Sequence, residues 1–320
     1  MFKLPKLQEL DVAGKRVILR LDLDTDPDPD DLRIKSSGQT VNYLHSKNAR
    51  VVIIAHKGRP TGDKEKDRVL SLEPFRPLFP GCEIKENLRF NPGEEAGDMD
   101  FAGELASEGD IYINEAFATS HRNSASITIL PKLLPHAAGL RFVEEVENLS
   151  KVFENPARPL LFIISGAKED KLQSIDGLEK YADRILVGGR LPVFLGDKAL
   201  ESVRNQEGKV IIGNLIMDKE DITLNTVERF EKEIEKAKTI VVSGPPGRFE
   251  DDGHRQGTER VLRKVAENKE AFKVAGGGDT EKVLASLSLS QYFDWVSVGG
   301  GAMLEFLSKR TLPGIEALVK

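Results

Sequence analysis

Nine apolar runs of strand length recur along the chain, each ending in a polar or glycine-rich turn, and segments of helical length separate most of them. They read "KRVILRLDL", "ARVVIIAHKG", "DIYINEAFA", "PLLFIISG", "RILVGG", "KVIIG", "TIVVSGPPG", "FKVAGGG" and "DWVSVGGG". Pieces such as "TVERFEKEIEKA" and "GTERVLRKVAENKE" carry apolar residues at helical spacing between them. Alternating strands and helices join successive strands by crossovers, which parallel pairing requires and hairpins do not. The expected fold class is therefore α/β. A chain of 320 residues exceeds what one core commonly organises, so two domains are expected, each a parallel, Rossmann-like sheet flanked by helices. The join falls in "LPHAAGLRFVEEVENLSKVFENPARP", whose middle reads as an exposed, acidic hinge helix closed by Pro156 and Pro159. The first domain is then 1–138 and the second begins at 139.

The two halves end their strands differently. In the first half the ends carry charged and polar groups: Asp22 and Asp24, His56 and Arg59, Arg89, His121 and Arg122. In the second they carry glycines, in "SGAKEDK", "GGRLPVF", "SGPPGRFE", "AGGGDTE" and "GGGAMLE". Ligands of open parallel sheets bind outside the carboxyl ends of the strands, so each half has one functional edge. A strand running through "VAGGGDTEKVL" into a helix exposes backbone N–H groups to an anion. Asp279 beside that nest would repel a bare phosphate and suits a shared Mg²⁺; alternatively the glycines only turn the strand into the helix. Five such turns on one edge favour phosphate or nucleotide binding.

Composition bounds what else the chain can do. Hydrophobic residues at 39% with 31% charged residues read as a soluble globular protein, and a net charge of -6 argues against nucleic acid as a partner. No apolar run approaches a membrane span, and the N-terminal "MFKLPKLQELDVAGKR" lacks a signal-peptide core. One cysteine, Cys82, offers neither a disulfide nor a metal cluster; it reads as a packed residue rather than a nucleophile, in a cytoplasmic protein.

These residues carry a resemblance. "GKRVILRLDLD", "AHKGRP", "ENLRFNPGEE" and "INEAFATSHRNSAS", then "GAKEDK", "GPPGRFE", "GGGDT", "GGGAMLE" and "LPGIEAL", resemble the motifs of the phosphoglycerate kinase family in the family's order and from end to end. The resemblance implies reversible Mg²⁺-dependent phosphoryl transfer between ATP and the carboxylate of 3-phosphoglycerate, giving 1,3-bisphosphoglycerate and ADP, by a monomer. It implies that 1–138 binds 3-phosphoglycerate, that 139–312 binds nucleotide, and that 313–320 returns to the first domain. Arg33, Arg59, Arg89 and Arg122 would hold the substrate's phosphate and carboxylate as guanidinium forks do. His56 would assist, Asp22 would receive a hydroxyl, and Asp24 would lie beside it. Arg33 would also be the transition-state cation. Lys168 and Lys171 would approach the nucleotide phosphates and the transferred group, with Gly166, Gly188, Gly244, Gly276, Gly277, Gly278 and Thr280 shaping that site. Glu250 would reach the ribose and Asp279 the Mg²⁺. His121 reads equally as a hinge hydrogen-bonder or a buried histidine. Closure of the two domains around both ligands is the implied working motion.

Departures from the family pattern fall mostly on the nucleotide side. Asp24 stands where the family has Asn, "GAKEDK" brings its lysines one residue closer, and Arg190 replaces a strand-end glycine. Ser243, Val298 and Met303 replace polar residues, and the chain is short, with about one helical hairpin missing between Leu195 and Thr239. Weakened nucleotide affinity is expected. Three readings remain open: a compact kinase of ordinary chemistry, a catalytically weakened relative that binds a phosphorylated metabolite, and a kinase for another anionic acid. Nucleotide preference, the physiological direction, and the roles of Arg190 and Asp24 stay open with them.

Overall fold

The structure is a computed structural model and describes residues 3–195 and 208–319; part of the interval expected to lack a hairpin, 196–207, lies outside them. The chain divides into two compact units, Met1–Glu147 with Thr311–Lys320, and Asn148–Arg310.

The first unit holds a five-stranded parallel sheet: β1 (Arg16–Arg20), β2 (Arg50–Ile54), β3 (Glu83–Ile84), β4 (Ile111–Asn114) and β5 (His136–Ala138), in the order β3-β2-β1-β4-β5. Val17 pairs with Val51 on one side and Ile111 on the other. Both faces of β1 and β2 are covered, which is why their sequences are unbroken apolar runs rather than alternating ones. Leu19, Ile53, Ile113 and Phe75 are fully buried among them, each worth roughly 1.5–3 kcal/mol in burial. Sheet order reverses between β1 and β4, and such a switch point opens a crevice at the strands' carboxyl ends.

The second unit holds a six-stranded parallel sheet: β6 (Leu160–Ile164), β7 (Arg184–Val187), β8 (Val210–Ile212), β9 (Thr239–Ser243), β10 (Phe272–Gly276) and β11 (Trp295–Ser297), ordered β11-β10-β9-β6-β7-β8. Its switch point lies between β6 and β9. Helices Leu224–Lys236 and Gln256–Glu267 bury Val227, Phe230, Ile234, Val261, Leu262 and Val265, the one-sided stripe their spacing calls for.

All nine anticipated runs contain strands. Two further strands, β3 and β5, were not anticipated; they are two and three residues long and sit at the sheet's edges. The helix at the join also departs from expectation. Leu140–Glu154 is not an exposed acidic helix: Phe142, Val146, Leu149 and Val152 are buried, and so is Glu145, 3.2 Å from Arg141. Its acidic residues mask an apolar stripe at spacings of three and four.

The start of that helix is held by Glu115, buried just after β4. Its carboxylate accepts from Arg141 N at 3.2 Å, Phe142 N at 3.1 Å and the Thr40 hydroxyl, and Thr40 Oγ1 accepts from Leu140 N at 2.9 Å. Gly139 must lack a Cβ, which would lie 2.1 Å from Glu115 Oε2. Burial pushes the Glu115 carboxyl up from 4.5 to about 7, against the lowering pull of these donors. The folded chain therefore holds a proton that the unfolded chain releases. This stability contribution is complete below pH 4.5 and is lost as pH rises through about 7, a change of about 3 kcal/mol at most. Urea unfolding of Glu115→Gln should lack that part of the wild-type pH dependence. Parallel stability curves for the two proteins between pH 4.5 and 7.5 would refute the assignment.

Candidate active site

At the carboxyl end of β1 the last residue, Arg20, points inward and is 1% exposed. Its guanidinium donates to Ser126 Oγ at 2.9 Å and to Leu21 O, lies 2.8 Å from His56 Nδ1, and faces Glu94 Oε1 at 3.8 Å. Two residues on, Asp22 is nearly buried and meets Arg33 Nε at 3.3 Å. Asp24 turns its carboxylate to Gly58 N at 2.8 Å and its carbonyl to the Arg33 guanidinium. Beyond β2, His56 is buried; beyond β3, Arg89 is nearly buried, pairing through Nε with Glu95 at 3.0 Å and donating to Gly58 O.

Of these side chains His56 and Arg89 line, with Arg122, Glu94, Glu95 and Ser124, a cavity of about 130 Å³; Asp22, Asp24 and Arg33 are not among its lining residues. At roughly 30 Å³ per water it accommodates a phosphate- or carboxylate-sized group. Arg122 Nε and His56 Nε2 are buried without a hydrogen-bond partner. Burial and the charges of Arg20, Arg89, Arg122 and Arg33 hold His56 far below its usual proton affinity, so it is neutral. Burial, with Arg122 beside it, also lowers Arg89. Crowded cations with unfilled donors make a site for an anion. Roomier grooves of about 540 and 550 Å³ lie elsewhere, but no buried nitrogen without a hydrogen-bond partner lies on their lining residues among those described. Arg59 lies exposed on the loop after β2, outside the cavity lining.

In the second unit, the ends of β6 and β9 are built from glycine turns. Gly166 and Gly244 have φ of +112° and +94°, and a Cβ on Gly244 would lie 2.0 Å from Ser165 O. Lys171 Nζ donates to Ser165 O at 2.6 Å and Ser243 O at 3.2 Å across the switch point. Burial draws its ammonium down to about 8 although Asp279 pulls the other way. Lys171 sits in the 3-10 helix Glu169–Ser174, with Lys168 at its N-cap. Gly188 is backed by the Ser165 side chain, and Gly189 N donates to Pro246 O at 2.9 Å. Thr280 Oγ1 accepts from Gly244 N at 2.8 Å and donates to Gly276 O at 3.0 Å, tying β9 to β10.

Gly277, at φ +104°, ends the turn before helix Gly278–Ser286, and a Cβ on Gly300 would come within 2.7 Å of its Cα. The helices starting at Gly278 and Gly300 thus converge at their amino ends, where free N–H groups favour an anion. Asp279 is exposed in the first turn of one; Lys168 and Glu250 are exposed on their loops; Arg190 is exposed while its backbone N–H donates to Gly166 O at 2.9 Å.

Sequence reasoning missed Arg20, Glu94, Ser126 and Ser165. Arg20 sits inside an apolar run and Glu94 inside "NPGEE", so neither shows alone that the two are neighbours. Cys82 has a histidine neighbour that its sequence surroundings hide, His45 Nε2 at 3.5 Å, but burial pushes its thiol up to about 11, which fits the packing role.

The family model described as phosphoglycerate kinase matches residues 7–78, 83–201 and 194–310. The phosphoglycerate kinase of Dictyoglomus turgidum is 33% identical over 385 aligned positions, covering 98% of this chain and 97% of that protein. That of Rubrobacter xylanophilus is 34% identical, covering 97% of each. An alignment of 385 positions against 320 residues leaves at least 65 without a counterpart here. The matched segments leave 79–82 out and overlap at 194–201. Among solved structures, the phosphoglycerate kinase of Coxiella burnetii superposes with a TM-score of 0.81 at 29% identity, covering 99% of this chain and 100% of that one. The Pyrococcus horikoshii enzyme gives 0.79 at 25% identity, covering 99% and 98%. With family model, full-length relatives and solved structures agreeing from one end to the other, the chain belongs to the phosphoglycerate kinase family.

Proposed function

We propose that the chain is a working phosphoglycerate kinase, reversibly transferring a phosphoryl group between MgATP and the carboxylate of 3-phosphoglycerate, as a cytoplasmic monomer. The observation that carries the reading is the cavity in which Arg122 Nε and His56 Nε2 are buried donors without acceptors beside Arg89. Unpaired buried donors cost free energy unless an anion fills them. Arg89 and Arg122 bind one anionic end of the substrate, and Asp22, aligned by Arg33, receives a hydroxyl. The acceptor is an ionised carboxylate, so no general base is needed, and positioning with charge neutralisation supplies the acceleration.

In the second unit the backbone N–H groups at Gly278 and Gly300 and the ammonium groups of Lys168 and Lys171 hold the phosphates, and Glu250 reaches the ribose. Mg²⁺ requires oxygen ligands and commonly takes one or two carboxylates plus substrate phosphates. The exposed Asp279 carboxylate at a helix start suits that donor set, and no group of three ligating side chains stands ready among the described residues. Asp279 would hold the ion, which neutralises phosphate charge when bound with nucleotide. Asp279→Asn should weaken nucleotide binding with Mg²⁺ about tenfold and hardly change it without; calorimetry showing equal affinity in both conditions would remove Asp279 from the metal role.

Asp24 gives its carboxylate to Gly58 N–H, which supports a loop-fixing role and takes away the motive for a different acid substrate. A coupled assay with ATP, Mg²⁺ and 3-phosphoglycerate tests the whole reading. Turnover is expected. Binding of both ligands without turnover would favour the weakened relative, and turnover only with another acid would favour a different kinase.

A further inference from the structure

His56 has one ring nitrogen already committed. Its Nδ1 lies 2.8 Å from a guanidinium nitrogen of Arg20, and a guanidinium has N–H donors and no acceptor. Nδ1 must therefore be the lone-pair nitrogen, which leaves the proton of a neutral ring on Nε2. That Nε2 is buried with no hydrogen-bond partner, 3.9 Å from Asp24 Oδ2, on the wall of the cavity that Arg89 and Arg122 share. We propose that Arg20 is a positioning residue that fixes His56 as the neutral Nε2–H tautomer, so that the ring presents one uncharged N–H donor to the anion bound by Arg89 and Arg122.

Arg20 is itself held from several sides. Its Nε donates to Ser126 Oγ at 2.9 Å, it donates to Leu21 O, and Glu94 lies 3.8 Å away. Glu94 in turn accepts from Ser126 N at 3.0 Å and Ser126 Oγ at 2.6 Å, and Tyr112 donates to Ser126 O at 2.7 Å. A guanidinium so placed cannot rotate away from His56 without abandoning three other partners. Glu94 lies close enough to balance its charge, and Arg20 acts on His56 both by the direction of its hydrogen bond and, with the other arginines, by disfavouring a second proton on the ring. Burial and the surrounding arginines together keep the ring from taking it. A histidine at its ordinary value near 6.5 would lose its charge across the physiological range; this one offers the same donor throughout.

The proposal rests on the reading above only for the identity of the anion, and its first test does not depend on that identity. In the full-length chain with ¹⁵N-labelled histidine, long-range proton–nitrogen correlation, assigned with His56→Gln, should show an unprotonated Nδ1 and a protonated Nε2 with no titration from about pH 5.5 to 8. An Nδ1–H tautomer, or titration in that range, overturns it. Arg20→Met would strand Glu94, so the charge-balanced Arg20→Met/Glu94→Gln is the variant to compare. It should populate both tautomers and raise KM for 3-phosphoglycerate about tenfold, the size of one lost hydrogen bond to a charged group, with kcat nearly unchanged. Arg20→Lys, which can still donate to Nδ1, should restore the single tautomer. A double variant that keeps only Nε2–H while losing thermal stability would make Arg20 a packing residue and refute the proposal. If no turnover is found, the spectra still decide the tautomer.

Discussion

Arg33→Ala is expected to cut kcat roughly 10³-fold while KM for 3-phosphoglycerate changes far less, the pattern of a cation that acts on charge developing in the transition state. The local structure supports that division of labour. Arg33 is half-buried at the start of helix Leu32–Ser46, whose N-cap Asp31 accepts from Arg33 N at 2.8 Å. Its guanidinium touches Asp22 at 3.3 Å and the Asp24 carbonyl, so it is aimed before any ligand arrives. A preset cation costs no reorganisation when the phosphoryl group moves. Steady-state kinetics would reject the role if Arg33→Ala raised KM strongly and left kcat intact, because that would mean Arg33 only aligns Asp22 for binding. Arg33→Lys sharpens the test. It keeps the charge and loses the planar fork, so a large residual defect points to geometry and a small one to charge alone.

The strands were legible wherever a run was long and buried on both faces, because unbroken, β-branched runs bounded by turn residues, such as "RVVII" or "LLFII", suit a central parallel strand. β3 and β5 were not, because two or three residues at an edge need no β-branched run to pair. At the site, residue types were readable and their partners were not. Arg89 and Arg122 stand out as cations at loop positions, yet only folding brings them to one cavity with His56. Arg20 carries the opposite lesson. Placed in an apolar run it reads as a strand's polar boundary, and the hydrogen bonds to Ser126, Leu21 O and His56 with the approach of Glu94 make its burial tolerable. Lys171 shows why spacing alone is a weak guide: positions three and four apart share a helix face, and it is the fold that takes its ammonium to Ser165 O and Ser243 O.

Glycine turns were legible as a class, but which glycine is indispensable depends on what a Cβ would meet. Gly244 combines the left-handed φ of +94° with a Cβ position 2.0 Å from Ser165 O and 2.5 Å from Lys171 Nζ. The lysine could move; the carbonyl could not, because Ser165 N is tied to Ser243 O at 2.8 Å between β6 and β9. Gly244→Ala must then part the two central strands at the switch point or force the backbone elsewhere, and it loses the Thr280 hydrogen bond either way. The expected cost is about 4 kcal/mol or more, at the diagnostic end for a single substitution, with nucleotide binding abolished. Gly278, one turn away in the same cradle, is the contrasting case: a Cβ there meets no heavy atom within 4 Å and its φ is not left-handed. Gly278→Ala should leave urea stability unchanged or raise it by about 0.4–1 kcal/mol, since alanine narrows the unfolded ensemble. MgATP affinity should nevertheless fall, because the open space beside Gly278 is where a phosphate would approach the helix start. The two variants therefore separate structural from ligand-facing glycines. Equal unfolding midpoints for Gly244→Ala and wild type would sink the first assignment, and unaltered calorimetric MgATP binding by Gly278→Ala would sink the second, leaving that glycine as a turn residue and nothing more.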